Sequence, residues 1–474
     1  MTPRRPLAVR RYLLSSSLRI AAVAGSLLAS GRANATQPLE TFLEAARTNS
    51  YDVREQIATV EQRDWEKESV FGRLLPAASA RGVYTRNQYA AQVPAAVFPP
   101  NGLTITPKDQ FDLFLQLDVP LIDLSNFQRL GQARHLAKAS SAQLEVSQND
   151  VQRTVARAYY TYVGGAALVQ AAERSQKIAE ENLAFVTTRH ENGVATELDR
   201  ERARANLEQS KQDRAQAELV GITAARNLQT VSGIAPTPVV EYPADDLHPE
   251  APLDEWLSNT DTPSDRVQAE LGQAAASAKK AAAYSLLPSL SANGQEHITN
   301  ATGFTGRTSA YMVQAMLSWR LDYSAYSTAQ AQASAADVQK VRAERSRRNV
   351  EDDIFGAWER VRTGIVKSAS ARVQSEAAVR AEELALARYQ AGALTQLDVT
   401  QSQRDAFQAQ ASRIQADADL LYSRVLLRLA AGKPPRVQPS TLPAIRAKDL
   451  GVQPAAQPAS APAPAPAPAN PAPR

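Results

Sequence analysis

One stretch of this chain occurs twice. The segment Arg189-His-Glu-Asn-Gly193-Val-Ala-Thr196-Glu-Leu198-Asp199 returns as Arg388-Tyr-Gln-Ala-Gly392-Ala-Leu-Thr395-Gln-Leu397-Asp398, so Arg, Gly, Thr, Leu and Asp coincide at an offset of 199 residues. The same offset pairs Asp123 with Asp322, Ser125 with Ser324, Leu228 with Leu427 and Gly233 with Gly432, without a gap from Asp123 to Gly233. Leu74-Leu75-Pro76 also recurs, as Leu286-Leu287-Pro288, at an offset of 212. A repeat this long means two copies of one structural unit, so the fold must accommodate two like units side by side.

Each copy contains a long helical run. No proline occurs between Pro120 and Pro236, nor between Pro288 and Pro434. From the aligned Asp to the aligned Gly each run spans roughly 65 residues, or about 100 Å at the helical rise. Helices of that length belong to coiled-coil-like arrangements. Their apolar positions are sparse (Leu130, Leu136, Leu144, Val146, Val151, Val155, Tyr159) among Gln, Ala, Ser, Arg and Glu. Such helices bury narrow seams and leave other faces wet. Gly193 and Gly392 then end the runs, because glycine accepts the left-handed conformation that closes a helix. Thr196 and Thr395 follow three residues later, where a hydroxyl caps a returning helix. Two helical hairpins result, with tips far from the rest of each repeat.

Before each hairpin lie strand-like stretches. Phe111, Leu113, Leu115, Leu117 and Val119 alternate with Asp112, Phe114, Gln116 and Asp118. Tyr311, Val313, Ala315, Leu317, Trp319 and Leu321 alternate with Met312, Gln314, Met316, Ser318 and Arg320. Period two predicts strands near 111–121 and 310–321 that bury their apolar face. Partner strands are expected near 80–88 and 289–297. The connecting stretches Val93–Lys108 and Asn300–Arg307 are rich in Gly, Pro, Thr and Asn and read as loops.

The ends of the chain read differently. Arg4, Arg5, Arg10 and Arg11 precede the uncharged run Ile20–Ser30 and the small-x-small triplet Ala33-Asn34-Ala35. This is the pattern of a secretory signal peptide, residues 1–35. The first repeat then covers 36–236, a linker 237–254, and the second repeat 255–433. Residues 434–474 form a Pro/Ala-rich tail, expected to be extended or disordered. The net charge of +4 comes from the signal, which holds six arginines and no acid. Without it 47 basic residues face 49 acidic ones, which argues against a nucleic-acid partner. Cysteine is absent, so disulfides, thiolate metal sites and a lipidated N-terminal cysteine are excluded.

No catalytic constellation stands out. His135, His190, His248 and His297 fall in no metal-ligand spacing, and no phosphate-loop or dinucleotide motif occurs. Gly164-Gly165 reads as a helix irregularity. Neither a cofactor nor a metal is expected, and the chain is not read as an enzyme.

Four amphipathic strands cannot close a barrel alone, because open edges are not tolerated in lipid. The duplicated strand–strand–helix–turn–helix unit resembles the TolC family of outer-membrane efflux proteins. The residues that carry the resemblance are the two Leu-Leu-Pro triplets, the strand end Val119-Pro120-Leu121-Ile122-Asp123 and the two Gly-x-x-Thr-x-Leu-Asp tips. The resemblance implies an α+β, mostly α fold. It implies a homotrimer with a 12-strand β-barrel in the lipid of a Gram-negative outer membrane, continuous with a 12-helix periplasmic tunnel. It further implies a passive exit duct for drug efflux or type I secretion. A periplasmic adaptor protein would dock on the tips, and an inner-membrane pump of RND, ABC or MFS type would drive export. The docking tips carry over to Arg189, Gly193, Val194, Thr196 and Leu198, and to Arg388, Gly392, Leu394, Thr395 and Leu397. A periplasmic gate carries over to Asp398, with Gln401 where an acid is often found, and Asp199 as its counterpart. The alternative is a periplasmic adaptor or hairpin scaffold without a channel. Such proteins usually carry a single hairpin.

Overall fold

The computed structural model describes residues 37–94, 97, 102–239, 245–258, 261–320 and 322–435. The expected signal peptide, nearly all of the Pro/Ala-rich tail and Leu321 lie outside them.

In chain order the elements are α1 (Leu39–Asn49), α2 (Tyr51–Gly72), β1 (Ala77–Arg86), β2 (Ala91–Val93), β3 (Leu103–Thr106), β4 (Asp109–Ile122), α3 (Leu124–Glu191) and α4 (Glu197–Ser232). The second half adds α5 (Leu253–Ser258), α6 (Pro263–Tyr284), β5 (Ser289–Thr299), a 3-10 turn (Gly303–Thr305), β6 (Ser309–Ser318), α7 (Tyr323–Gln390) and α8 (Gln396–Ala430). The fold is mostly helical. α3 and α7 are each 68 residues long, about 100 Å, and start from matching caps. Asp123 accepts from the Asn126 amide, and Asp322 from the Ala325 amide.

The helices pack as the sparse seams require. α2 and α4 both lie along α3, with the start of α2 beside the end of α4. α6 lies between α3 and α7, and α8 packs on both long helices. The start of α6 meets the end of α8, since a Cβ on Gly432 would lie 2.9 Å from the Asp261 carbonyl. Alanine dominates the seams, which lets backbones approach closely. The largest apolar cluster sits midway along the helices and joins α1, α3, α4 and α8 through Phe42, Val155, Val163, Leu228 and Val425. Each such side chain contributes about 1.5–3 kcal/mol by leaving water. Tyr159 and Tyr162 donate their hydroxyls to the Gln37 and Thr237 carbonyls, tying the approach to α1 and the linker to α3.

The strands form an antiparallel sheet of order β1-β4-β5-β6, with β1 and β6 at its edges. Register puts Ala80, Leu115, Glu296 and Tyr311 on one face, and Arg81, Phe114, His297 and Ala310 in the adjacent row on the other. Expecting the apolar face of β4 to be buried was wrong. Phe111, Leu113, Leu115 and Leu117 are the exposed residues, while Asp112, Phe114, Gln116 and Asp118 are half-sheltered. The sheltered face is polar and internally bonded. Asp112 pairs with His297 at 2.8 Å, His297 stacks on Phe114 at 4.4 Å, and Asn293 donates to Asp118 at 2.6 Å. Among the described residues no helix is long and apolar enough to cross a membrane.

Other expectations need correction. β1 starts three residues before position 80, and β6 stops at Ser318 rather than 321. There the Trp319 indole donates to the Leu286 carbonyl, and Asp322 begins the helix cap. The stretch read as a loop at 93–108 contains a short hairpin, β2–β3, whose Leu103-Thr-Ile-Thr106 supplies β-branched residues. Leu253 begins α5 inside the expected linker. Gly164 and Gly165 do not disturb α3. They let it approach its neighbours: a Cβ on Gly165 would lie 3.4 Å from Gly221 of α4, and one on Gly164 3.5 Å from Ala418 of α8.

Candidate functional site

Both hairpin tips are built alike. α3 ends at Glu191, and Gly193 takes a φ of +74°; α7 ends at Gln390, and Gly392 takes +77°. Among the described residues no atom beyond the adjoining ones lies within 4 Å of a Cβ placed on either glycine, so the sign of φ demands glycine there. The Val194 amide returns to the Arg189 carbonyl at 2.8 Å, and the Ala393 amide to the Arg388 carbonyl at 2.8 Å. Each following helix opens with a reciprocal capping box. Thr196 Oγ1 accepts from the Asp199 amide, and Asp199 Oδ2 accepts from the Thr196 amide at 3.1 Å. Thr395 and Asp398 repeat this, with Asp398 Oδ2 accepting from the Thr395 amide at 2.9 Å.

The two tips are joined asymmetrically. Arg189 donates from Nη1 to the Tyr389 carbonyl at 3.0 Å, and its guanidinium lies over the rings of Phe185 and Tyr389. A cation thus meets the negative end of α7. Arg388, the matching residue, is exposed and has no side-chain partner among the described residues. Beneath the turns Val186, Ala203, Tyr389 and Val399 form a small buried cluster, with Leu394 packed against it. Val194, Leu198 and Leu397 are left more than half exposed at the end of the molecule. His190 Nδ1 lies 3.1 Å from the Ala195 carbonyl, within the same turn, and its Nε2 lies 3.2 Å from Glu197.

Of the expected gate residues, Asp398 and Gln401 sit on exposed helix surface and Asp199 is half-buried. Asp398 is held below the usual carboxylate range by hydrogen bonds from the Thr395 side chain and backbone. Gln401 donates to Asp405 at 3.0 Å. Seven residues beyond Asp398, Asp405 restores a carboxylate to the same helix face, and sequence reading had passed over it. Asp199 lies at the first tip, bonded within its own cap, and its charge reaches Tyr389 of the second.

A buried polar cluster was missed altogether. Arg424 of α8 is fully buried and donates to both oxygens of Asp245, at 2.6 and 2.9 Å. It also donates to Glu250 at 2.7 Å, to the His248 carbonyl at 2.7 Å and to His248 Nε2 at 2.9 Å. The linker is thereby pinned to α8, and Leu247 is carried at a φ of +59°. Asp245, Asp246 and His248 are close enough to hold a metal ion. The guanidinium already takes both Asp245 oxygens and His248 Nε2, so these donors fit a structural ion cluster. No signal in the sequence joins residues so far apart.

Residues 42–234, within the first repeat, match the family model described as outer membrane efflux protein. No curated protein matches the sequence. Several solved structures share the fold. A membrane protein from Pseudomonas aeruginosa is 18% identical, with a TM-score of 0.72 over 83% of this chain and 93% of that one. The Campylobacter jejuni CmeC outer membrane channel is 18% identical, with a TM-score of 0.71 over 83% and 85%. The open state of the Neisseria gonorrhoeae MtrE outer membrane channel is 19% identical, with a TM-score of 0.67 over 84% and 90%. The match over residues 42–234 ties the first repeat to the outer membrane efflux protein model, and the duplicated long hairpins with their Gly-Thr-Asp tips give the chain the fold of the solved outer membrane channels.

Proposed function

We propose that three copies of this chain form a passive exit duct, a 12-strand barrel in the outer membrane continuous with a 12-helix periplasmic tunnel. The carrying observation is the sense of the sheet. Its aliphatic face is the exposed one, and its Asp, Gln, Asn and His residues line the sheltered one. A sheet folded around an aqueous core would do the opposite, whereas a membrane barrel wall turns its apolar residues to lipid and its polar ones inward. β1 and β6 leave unpaired edges that lipid would not tolerate, and further copies would pair them.

The tips serve as the docking ends. Val194, Leu198 and Leu397 offer apolar side chains to the hairpin of a periplasmic adaptor, which links the duct to an inner-membrane pump in drug efflux or type I secretion. Arg189, Gly193 and Thr196, and likewise Arg388, Gly392, Leu394 and Thr395, shape the turns that present them. Three copies of Asp398, with Gln401 and Asp405 deeper on the same face, form the periplasmic gate; Asp199 serves its own cap.

Protein purified in detergent is expected to be a trimer and to conduct ions across a planar bilayer. Asp398→Asn is expected to lower its cation selectivity. A monomer without conductance would refute the duct, and unaltered selectivity would leave Asp398 as a helix cap only.

A further inference from the structure

Three residues fasten short segments to one face of the helix layer. On α3, Tyr159 donates to the Gln37 carbonyl ahead of α1. On α7, the Trp358 indole donates to the Ala251 carbonyl of the linker at 3.0 Å. On α8, Arg424 holds Asp245 of the linker. Two residues away from each of these, in turn, stand Arg157, Arg360 and Tyr422. Two residues turn a helix by about 200°, so these three lie on the opposite face. There they line one groove, floored by α8 and walled by α3 and α7, with a volume of about 1130 Å³. A closed ring of helices has room for α1, α5 and the linker only on its outside. In the duct proposed above, on which this reading rests, the groove opens on the bore.

The charges that line the groove are unevenly matched. Glu359 pairs with Arg362 at 3.2 Å, and Asp419 with Lys367 at 3.8 Å. Arg157 and Arg360 are exposed, and neither has an ion-pair partner among the described residues. Tyr160, Leu168, Tyr422 and Leu426 supply apolar and aromatic walls around them. A guanidinium takes a carboxylate through two parallel N–H groups and stacks on aromatic planes. We propose that the groove binds exported cargo, and that this cargo is a carboxylate carried on a flat aromatic body. Sites for small molecules enclose roughly 300–1,000 Å³, so a ring system and its hydrating water fit here.

Gly356 points the same way. It lies in the interior of α7, where glycine costs about 1 kcal/mol relative to alanine. Among the described residues nothing lies within 4 Å of a Cβ placed on it, and its φ is not positive. Neither helix packing nor backbone conformation therefore asks for glycine at this position. The residue lines the groove, where a side chain would take up the space that a ring needs. Gly364, which also lines it, differs: a Cβ there would lie 3.2 Å from Leu420, so that glycine lets α7 close on α8.

The full chain in detergent would be dialysed to equilibrium against naphthoate, with protein-free micelles as the blank, and its current measured in planar bilayers. The proposal predicts saturable binding at one site per chain. Arg157→Ala combined with Arg360→Ala should weaken that binding at least tenfold. Gly356→Leu keeps both arginines, fills the groove and should weaken it as much. The neutral naphthalenemethanol should bind the unaltered chain at least tenfold more weakly than naphthoate does. Equal binding of the two probes, or unchanged binding in the variants, would overturn the groove, while a current through the unaltered chain would leave the duct standing. A chain that carries no current would overturn the duct, and with it the reading of the ligand as cargo.

Discussion

Arg189 Nη1 donates to the Tyr389 carbonyl at 3.0 Å, so a side chain of the first hairpin closes the last turn of the second. Near the tips the hairpins are also joined by the buried cluster of Val186, Ala203, Tyr389 and Val399, and by Asn206 Nδ2 donating to Gln403 Oε1 at 2.7 Å. Among these joints Arg189 supplies the cation.

Replacing that cation should loosen the second tip. A hydrogen bond from a charged donor contributes about 1.5–3 kcal/mol. Arg189→Ala is expected to speed hydrogen exchange of amides at 388–393 by tenfold or more, leaving β4 and β5 unchanged. Arg388→Ala should leave exchange at 189–194 unchanged in a monomeric preparation. Equal effects of both variants in the monomer would contradict the asymmetry.

Glu382 makes stability depend on pH. Burial on α7 pushes its carboxyl up to about 7, and neighbouring Glu383 adds to the shift. The folded chain thus holds this proton through a range where the unfolded chain, with an ordinary value of 4.5, has lost it. Stability should fall as pH rises from about 4.5 to 7 and change no further above that, by roughly 3 kcal/mol in all. Glu382→Gln should remove this slope and raise the thermal midpoint near pH 8. Helical circular dichroism across that range checks it; a slope that survives the substitution would assign the pH dependence to other groups.

Arg424 predicts the largest loss. Removing one partner of a buried ion cluster leaves the others charged and desolvated, at about 3–5 kcal/mol. Arg424→Met should lower the thermal midpoint sharply, and Asp245→Leu in the same chain should recover part of the loss. Arg200→Met breaks an exposed pair with Glu197 and should cost about 0–1 kcal/mol. Similar midpoints for the Arg424 and Arg200 variants would contradict the cluster's role.

What the sequence disclosed follows from the range of each interaction. The Gly193 and Gly392 turns and the Thr caps were legible because their chemistry lies within a few residues. The long helices were legible from the proline-free runs. The Arg424–Asp245 pair was not, because 179 residues separate its partners and buried charges resemble solvated ones in sequence. Period two in β4 disclosed the alternation of Leu115 and Gln116 but not which side meets water. That depends on what surrounds the sheet, and it was read the wrong way round.

The sense of the sheet decides the account most directly. Single cysteines at Leu115 and Gln116, neighbours on opposite faces of β4, can be tested in planar bilayers with a positively charged, water-soluble thiol reagent. The duct predicts that the reagent changes the current through Gln116→Cys channels and leaves Leu115→Cys channels unaltered. A response at Leu115→Cys with none at Gln116→Cys, or a chain that conducts no current, would contradict it.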